Sequence, residues 1–287
     1  DIKKCTTHLN FEPLMTLFFN DALDEEEIKK VSNSDIIHGI KLYPSGVTTN
    51  SNDGVDTIDK CFHLFELMQK HGVPLLIHAE TNDKNIDIFD REKFFIDRHL
   101  TQIHIEFPDL RIVFEHISSK EAVDFVMSAN NKVGATITPQ HMLLDRNDLL
   151  SNGIKPHHYC LPIVKRAEDR LAIIEAAISG SQKFFLGTDS APHFRHQKES
   201  SCGCAGIYSA AYAMELYVLI FEAENALDKL ENFSSKFGAD FYKLPYNKSK
   251  IKLIKKELEI PTKIDIGNEE IIPFFAGETL SWQLSEI

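Results

Sequence analysis

The sequence predicts an α/β fold built on a parallel sheet, and three observations carry that expectation. Short apolar, β-prone runs recur along the 287 residues, each followed by an amphipathic helical pattern. The runs are apolar almost throughout, as strands covered by helices are, and do not alternate as half-exposed strands do. No Pro-, Gly- or Ser-rich linker and no low-complexity tract divides the chain, so one domain over 1–287 is expected. An open doubly wound sheet and a closed (β/α)8 barrel both meet these conditions. The lack of Gly-x-Gly-x-x-Gly after the first run weakens the dinucleotide-binding form of the former.

The runs are taken in order. Residues 11–19 (FEPLMTLFF) precede an acidic helix over about 21–32. Residues 36–43 (IIHGIKLY) precede a helix over 57–70, with Ile58, Phe62, Phe65 and Met68 on one face and Gly72 as its C-terminal cap. Residues 73–79 (VPLLIHA) lead to a helix near 90–105, stopped before Pro108. Residues 110–117 (LRIVFEHI) are followed by Ser118-x-x-Glu121, a capping-box pattern that opens a helix over 119–129. Residues 132–138 (KVGATIT) enter a long loop, then a helix over 166–179 ended by Gly180. Residues 183–188 (KFFLGT) lead through a Gly/Cys-rich loop to a helix over 207–224. From about 226 to 287 the expectation is a helical and irregular extension, with 271–282 irregular. Six runs fall short of the eight a barrel needs.

Composition excludes several function classes. Lys and Arg number 31 against 43 Asp and Glu, giving a net charge of −12, which argues against nucleic acid and anionic membranes as partners. No apolar run approaches the ~18 residues of a membrane span. The opening Asp1-Ile2-Lys3-Lys4-Cys5 reads as neither a signal peptide nor an initiator start. Five cysteines, an odd and sparse set, point to reduced thiols and a cytoplasmic location.

Chemistry-bearing residues stand at the C-terminal ends of the runs: Lys41, His78, His116 and Asp189, separated by 37, 38 and 73 residues. The last interval is about double the others, as when one strand intervenes without contributing a residue. A lysine within an apolar strand is costly unless paired or neutralised. Each residue alone reads as a core or strand-end side chain. Their shared phase places all four at one mouth of a barrel and points to a metal site. The Cys202-Gly203-Cys204 spacing is unlike a zinc pair, and His157, His158 and Cys160 read as loop structure. His141 is at most a supporting residue.

Several segments carry a family resemblance: 39–44 (GIKLYP) with 48–51 (TTNS), 76–80 (LIHAE), 114–117 (FEHI), 136–141 (TITPQH), 187–193 (GTDSAPH) and 198–206 (KESSCGCAG). Together they resemble the compact bacterial dihydroorotases of the amidohydrolase superfamily, over residues 11 to 279. The resemblance implies a TIM-type (β/α)8 barrel of the metal-dependent amidohydrolase kind. It implies interconversion of N-carbamoyl-L-aspartate and L-dihydroorotate in pyrimidine biosynthesis, with two Zn²⁺ ions. It also implies an N6-carboxylated Lys41 bridging them, His78 and His116 on the more exposed ion, and Asp189 as both ligand and proton shuttle for a bridging hydroxide. His193 would pair with the substrate carboxylate, backbone groups of Leu161 and Ala205 would hold the ring, and Thr48 and Thr49 would form a lid. A homodimer follows from the same resemblance.

The family pattern also has a His-x-His pair followed by an arginine on its first strand, and an asparagine after its second. The sequence contains no His-x-His, and His8 stands alone in a polar segment. In the family register, residues 11–19 are the third strand, so two βα units, roughly 60 residues, are expected to be missing from this sequence. The expectation is a sequence that lacks its beginning rather than a naturally short protein; were the protein this short, it would hold one ion weakly and turn over little substrate. Two alternatives stay open: a hydrolase of another cyclic amide, and a non-catalytic dihydroorotase-like subunit.

Overall fold

The computed structural model describes residues 2–9 and 11–285. Six strands form one parallel sheet in chain order: β1 (Met15–Phe18), β2 (Ile37–Leu42), β3 (Leu75–Ile77), β4 (Ile112–Phe114), β5 (Val133–Ile137) and β6 (Phe184–Leu186). Strict succession without a reversal of order is the wall of a barrel and excludes the doubly wound sheet. Among the described residues β1 and β6 each pair on one side only, so the wall is open between them, a partial (β/α) barrel.

The strands alternate between two apolar environments. Ile40, Leu42, Leu75, Ile77, Ile112, Phe114 and Phe184 face outward into one large core shared with Phe65, Phe95, Val126, Ile173 and Phe221 of the covering helices. Leu76, Val113 and Phe185 face inward and meet Phe237, with Phe241 and Tyr242 packed beside them. Gly134 on β5 is required there, because a Cβ would lie 2.9 Å from the rings of both Phe185 and Phe241.

Most helices form where the pattern places them; the one expected over 207–224 spans only Ala213–Ala223, because Ile207 and Tyr208 are drawn into bridges with Ser190 and Pro273. Asp24 caps Glu25–Ser32 by accepting from Glu27 N at 2.8 Å, and Ile28 and Val31 supply the buried face. A 3-10 turn leads into Phe62–His71, which ends at Gly72 with φ 67°. The helix over residues 91–106 is interrupted by a π turn at Ile96–Leu100. Lys120–Ser128 is capped by Ser119, one residue later than Ser118-x-x-Glu121 predicts. Ser118 is withdrawn from that role because its N–H and hydroxyl are both bound to the buried Glu92.

The C-terminal region departs from the expected irregular tail. After a helix over 227–242, β7 (Lys252–Glu259) and β10 (Thr279–Ser285) form an antiparallel ribbon, and β8 (Ile264–Ile266) and β9 (Glu269–Ile271) form a hairpin. Three lysines and two glutamates in β7 mask its alternation. A two-stranded ribbon is marginal alone. Here it docks on helix Ala213–Ala223: Trp282 Nε1 donates to Glu222 at 2.8 Å, and Leu284 N donates to the buried Glu215 at 2.9 Å. Among the described residues no helix is long and apolar enough to cross a membrane.

Phe185 links the sheet to the inner face of the 227–242 helix, with ring centroids 5.5 Å from Phe241 and 6.3 Å from Tyr242. Phe185→Ala is expected to lower the unfolding free energy by about 3–5 kcal/mol in urea melts. A loss below about 1 kcal/mol would show that the inner layer repacks freely.

Candidate active site

Sheet register places Lys41 on one inward-facing rung with Leu76 of β3 and Val113 of β4. Two residues further along each strand, on the same face, stand His78 and Glu115. Strict alternation would therefore aim Glu115 inward and His116 away. His116 reaches the site because its backbone turns into the left-handed region, φ 45°, and Asp189 beyond β6 does the same at φ 44°. Such conformations cost on the order of 1 kcal/mol or more for residues other than glycine, and they gather where a side chain must be re-aimed. Thr136 holds the first of them, its Oγ1 accepting from His116 N at 2.6 Å.

A cavity of about 200 Å³ opens at this end of the sheet. Its walls bring together Thr48, Thr49, His78, His116, Leu161, Asp189, His193 and Ala205, all expected from the sequence, with Tyr43 as an addition. Lys41 is buried and is not among the lining residues. It forms an ion pair with Glu115, and its Nζ lies 4.8 Å from the centre of the Tyr43 ring. Among the described residues no three His, Cys, Asp or Glu side chains converge as a ready-made ion cage.

The electrostatics follow from burial. Desolvation lowers the pKa of His78, outweighing its bond to Glu80, and lowers His116 well below the usual range, helped by the Lys41 charge. Both rings are therefore neutral, and their centres lie 4.7 Å apart. His78 Nε2 donates to the fully buried Glu80 at 2.9 Å. Burial would raise the Glu80 carboxyl, but the His78 bond and the Lys165 charge hold it below the usual range. This pairing fixes the proton on Nε2 and leaves the Nδ1 lone pair, the arrangement in which a carboxylate orients a metal-binding imidazole. His116 Nδ1 is buried with no hydrogen-bond partner. Asp189 is pushed up to about 7, first by burial, with Lys41 opposing and Glu115 adding to the rise.

The supporting residues behave as loop structure. His141 is buried between Thr138 Oγ1 at 2.8 Å and the Pro162 carbonyl at 2.9 Å, next to Leu161. His158 Nδ1 lies 3.1 Å from the Asp148 carbonyl, and His157 bonds Glu199 at 3.0 Å. Cys160 is buried, its thiol pushed up to about 12. The Cys202 and Cys204 sulfurs lie 3.9 Å apart and are not joined. Glu80, Glu115 and Lys198 were not picked out by sequence reasoning. For Glu115 a signal existed, since it shares strand parity with Lys41 and His78.

The sign of one pH effect follows. In the metal-free chain Asp189 binds its proton more tightly folded than unfolded. Its contribution to stability is full below about pH 4 and is lost as pH rises through about 7. Asp189→Asn is expected to flatten that fall, on the order of a few kcal/mol, in thermal melts of chelator-treated protein between pH 4 and 8. Parallel profiles for both proteins would contradict the buried, protonated carboxyl.

Residues 15–256 match the amidohydrolase family. The chain is 54% identical to the dihydroorotase of Alcanivorax borkumensis over 276 residues, covering 96% of this chain and 80% of that one. It is 55% identical to the dihydroorotase of Coxiella burnetii, covering 96% and 79% respectively. Among solved structures, the dihydroorotase of Campylobacter jejuni superposes with a TM-score of 0.90 at 36% identity, over 99% of this chain and 81% of that one. The Saccharomyces cerevisiae dihydroorotase in complex with 5-fluoroorotic acid gives 0.89 at 35%, over 99% and 84%. A D-hydantoinase from Bacillus sp. AR9, at 16% identity and a TM-score of 0.74, shares the fold. The inward rung of Lys41, the re-aimed His116 and Asp189 and the six-strand wall are thus those of a member of the amidohydrolase family, and within it the chain belongs with the dihydroorotases.

Proposed function

We propose that this chain is a dihydroorotase, interconverting N-carbamoyl-L-aspartate and L-dihydroorotate in pyrimidine biosynthesis. The observation that carries the reading is the convergence of His78, His116 and Asp189 with Leu161, His193 and Ala205 on one cavity of about 200 Å³.

The donor set suits a borderline divalent ion such as Zn²⁺. The carboxylate-oriented His78 and the unpartnered nitrogen of His116 fit such a group. Lys41, once N6-carboxylated, would offer oxygens to the same ion and to a second one held by Asp189. When bound, the metal polarises the ring carbonyl and acidifies water. Every other part of the chemistry belongs to the chain. Asp189, its carboxyl already shifted toward neutrality, takes a proton on the side of the attacking water and returns it to the ring nitrogen. The reverse transfer serves cyclisation. His193 Nε2 donates to Ala205 O at 3.0 Å, which holds the ring at the cavity wall; only as the imidazolium, with a second proton on Nδ1, would it also donate to the substrate carboxylate. Thr49 Oγ1 bonds the same carbonyl at 3.4 Å and brings the 48–49 loop over the cavity. Backbone groups of Leu161 and Ala205 meet the polar edge of the ring.

The 287 residues contain no His-x-His pair. Lys41, His78 and His116 are therefore assigned to one ion, and Asp189 to a second whose remaining ligands are not in these residues. We assign the protein to the reducing cytoplasm on its unpaired thiols, and to a homodimer on the resemblance alone.

The purified 287-residue chain is expected to hold close to one zinc by atomic emission. It is expected to hydrolyse L-dihydroorotate at least ~100-fold more slowly than the Alcanivorax relative, consistent with an incomplete electrostatic site. Hydantoin hydrolysed faster than dihydroorotate would overturn the substrate reading. His116→Ala is expected to weaken zinc affinity by at least ~10-fold in chelator competition, and unchanged affinity would remove His116 from the ligand set.

A further inference from the structure

Lys198 closes the short helix Arg195–Lys198 and is only 3% exposed. Its Nζ donates to three backbone carbonyls, those of Tyr159 at 2.8 Å, Cys204 at 2.7 Å and Gly206 at 2.7 Å. All three ammonium hydrogens are thus used, and the Tyr159 ring centre lies 5.7 Å away. Among the described residues no carboxylate pairs with it. An ammonium buried without a counter-ion is costly, and converging carbonyl dipoles are what offset that cost here.

The carbonyls drawn to Lys198 alternate along the chain. Those of Cys204 and Gly206 point to the ammonium, whereas that of Ala205, between them, points to the cavity and accepts from His193 Nε2 at 3.0 Å and Thr49 Oγ1 at 3.4 Å. Gly206 N donates to Tyr159 O at 3.0 Å, so one carbonyl serves both the strap and the ammonium. A Cβ on Gly206, at φ 152°, would lie 2.5 Å from Ala191 O, so the strap is pressed onto the 191–193 segment as well. Two site segments, 159–161 and 204–206, therefore meet at a single nitrogen.

We propose that Lys198 is a positioning residue: by drawing the Tyr159, Cys204 and Gly206 carbonyls to one point, it sets the alternation that turns Ala205 into the cavity and fixes the edge against which the substrate ring is held. The identity of the ring rests on the dihydroorotase reading; the fixing of the strap does not. Burial lowers the ammonium to about 8, and the groups facing it are the Tyr159 ring and the thiols of Cys160 and Cys204. Its loss of a proton above that pH leaves two donors for three carbonyls, so one of the three is released.

The test uses the full zinc-loaded chain with Lys198→Met, which keeps the length of the side chain and removes its donors, and Lys198→Arg, which keeps charge but cannot converge on three carbonyls. Hydrogen exchange at the Gly206 amide is expected to quicken at least ~10-fold in the Met variant while the strands keep their protection. KM for L-dihydroorotate is expected to rise at least ~10-fold with kcat within ~3-fold and zinc content unchanged. The Arg variant is expected to fall between the two, and it carries the test if the Met variant does not fold. Unchanged exchange at Gly206, or a stability loss with KM untouched, overturns the proposal. A wild-type chain that prefers hydantoin to dihydroorotate removes the substrate reading, and the exchange measurement still decides the role of Lys198.

Discussion

The site depends on one constraint, the need to neutralise a lysine inside an apolar wall. Lys41 stands on a rung whose neighbours are Phe18 and Leu76. Leaving its charge unpaired there would cost several kcal/mol. Glu115 answers that need, and the Lys41 charge in turn depresses His116 and restrains the rise of Asp189. Carboxylation of Lys41 would reverse its sign and set an anion beside Glu115. Two like charges at that range need a shared proton or a nearby cation. Were Lys41 carboxylated, that modification would be coupled to metal loading, whereas the ion pair with Glu115 belongs to the unmodified lysine.

A second constraint acts through the backbone. Parallel strands present every second residue to the interior, which limits each βα unit to a few inward positions. The left-handed turns at His116 and Asp189 extend that limit by re-aiming a residue beyond the strand. Their cost is met locally. Thr136 Oγ1 takes the His116 amide, and Gly187 lies so close that a Cβ would stand 2.5 Å from Thr136. The β5–β6 contact thus fixes the loop after β4, so packing in the wall and aim in the site are set by the same atoms.

Much of this was legible in the residues because it depends on period and phase. All six apolar runs contain the six strands, and Gly72 caps its helix as expected. The residues assigned to the cavity do line it, apart from Lys41. What escaped depends on partners far along the chain. Ser118 loses its capping role to Glu92, 26 residues away, and no local pattern announces that bond. The ribbon of β7 and β10 is stabilised by docking on Glu215 and Glu222, while its own sequence alternates poorly. Glu80 looks like an ordinary residue after a strand until His78 is seen to need an acceptor.

Three buried lysines show how the environment decides what a cation does. Lys41 faces a carboxylate and sits over an aromatic ring, so its charge is neutralised and its nitrogen stands near groups that can exchange protons. Lys165 bonds the Ser118 hydroxyl, and its charge acts on both Glu80 and Glu92. It holds down the carboxyl that orients His78 and so acts on the site at one remove. Lys198 hydrogen-bonds only to carbonyls, which neutralise nothing and accept only along narrow directions. A carboxylate partner could follow a moving ammonium, whereas three backbone carbonyls from two segments cannot move without dismantling both. The cation with the least charge compensation is therefore the one best suited to fixing geometry, and it lies behind the strap that faces the cavity.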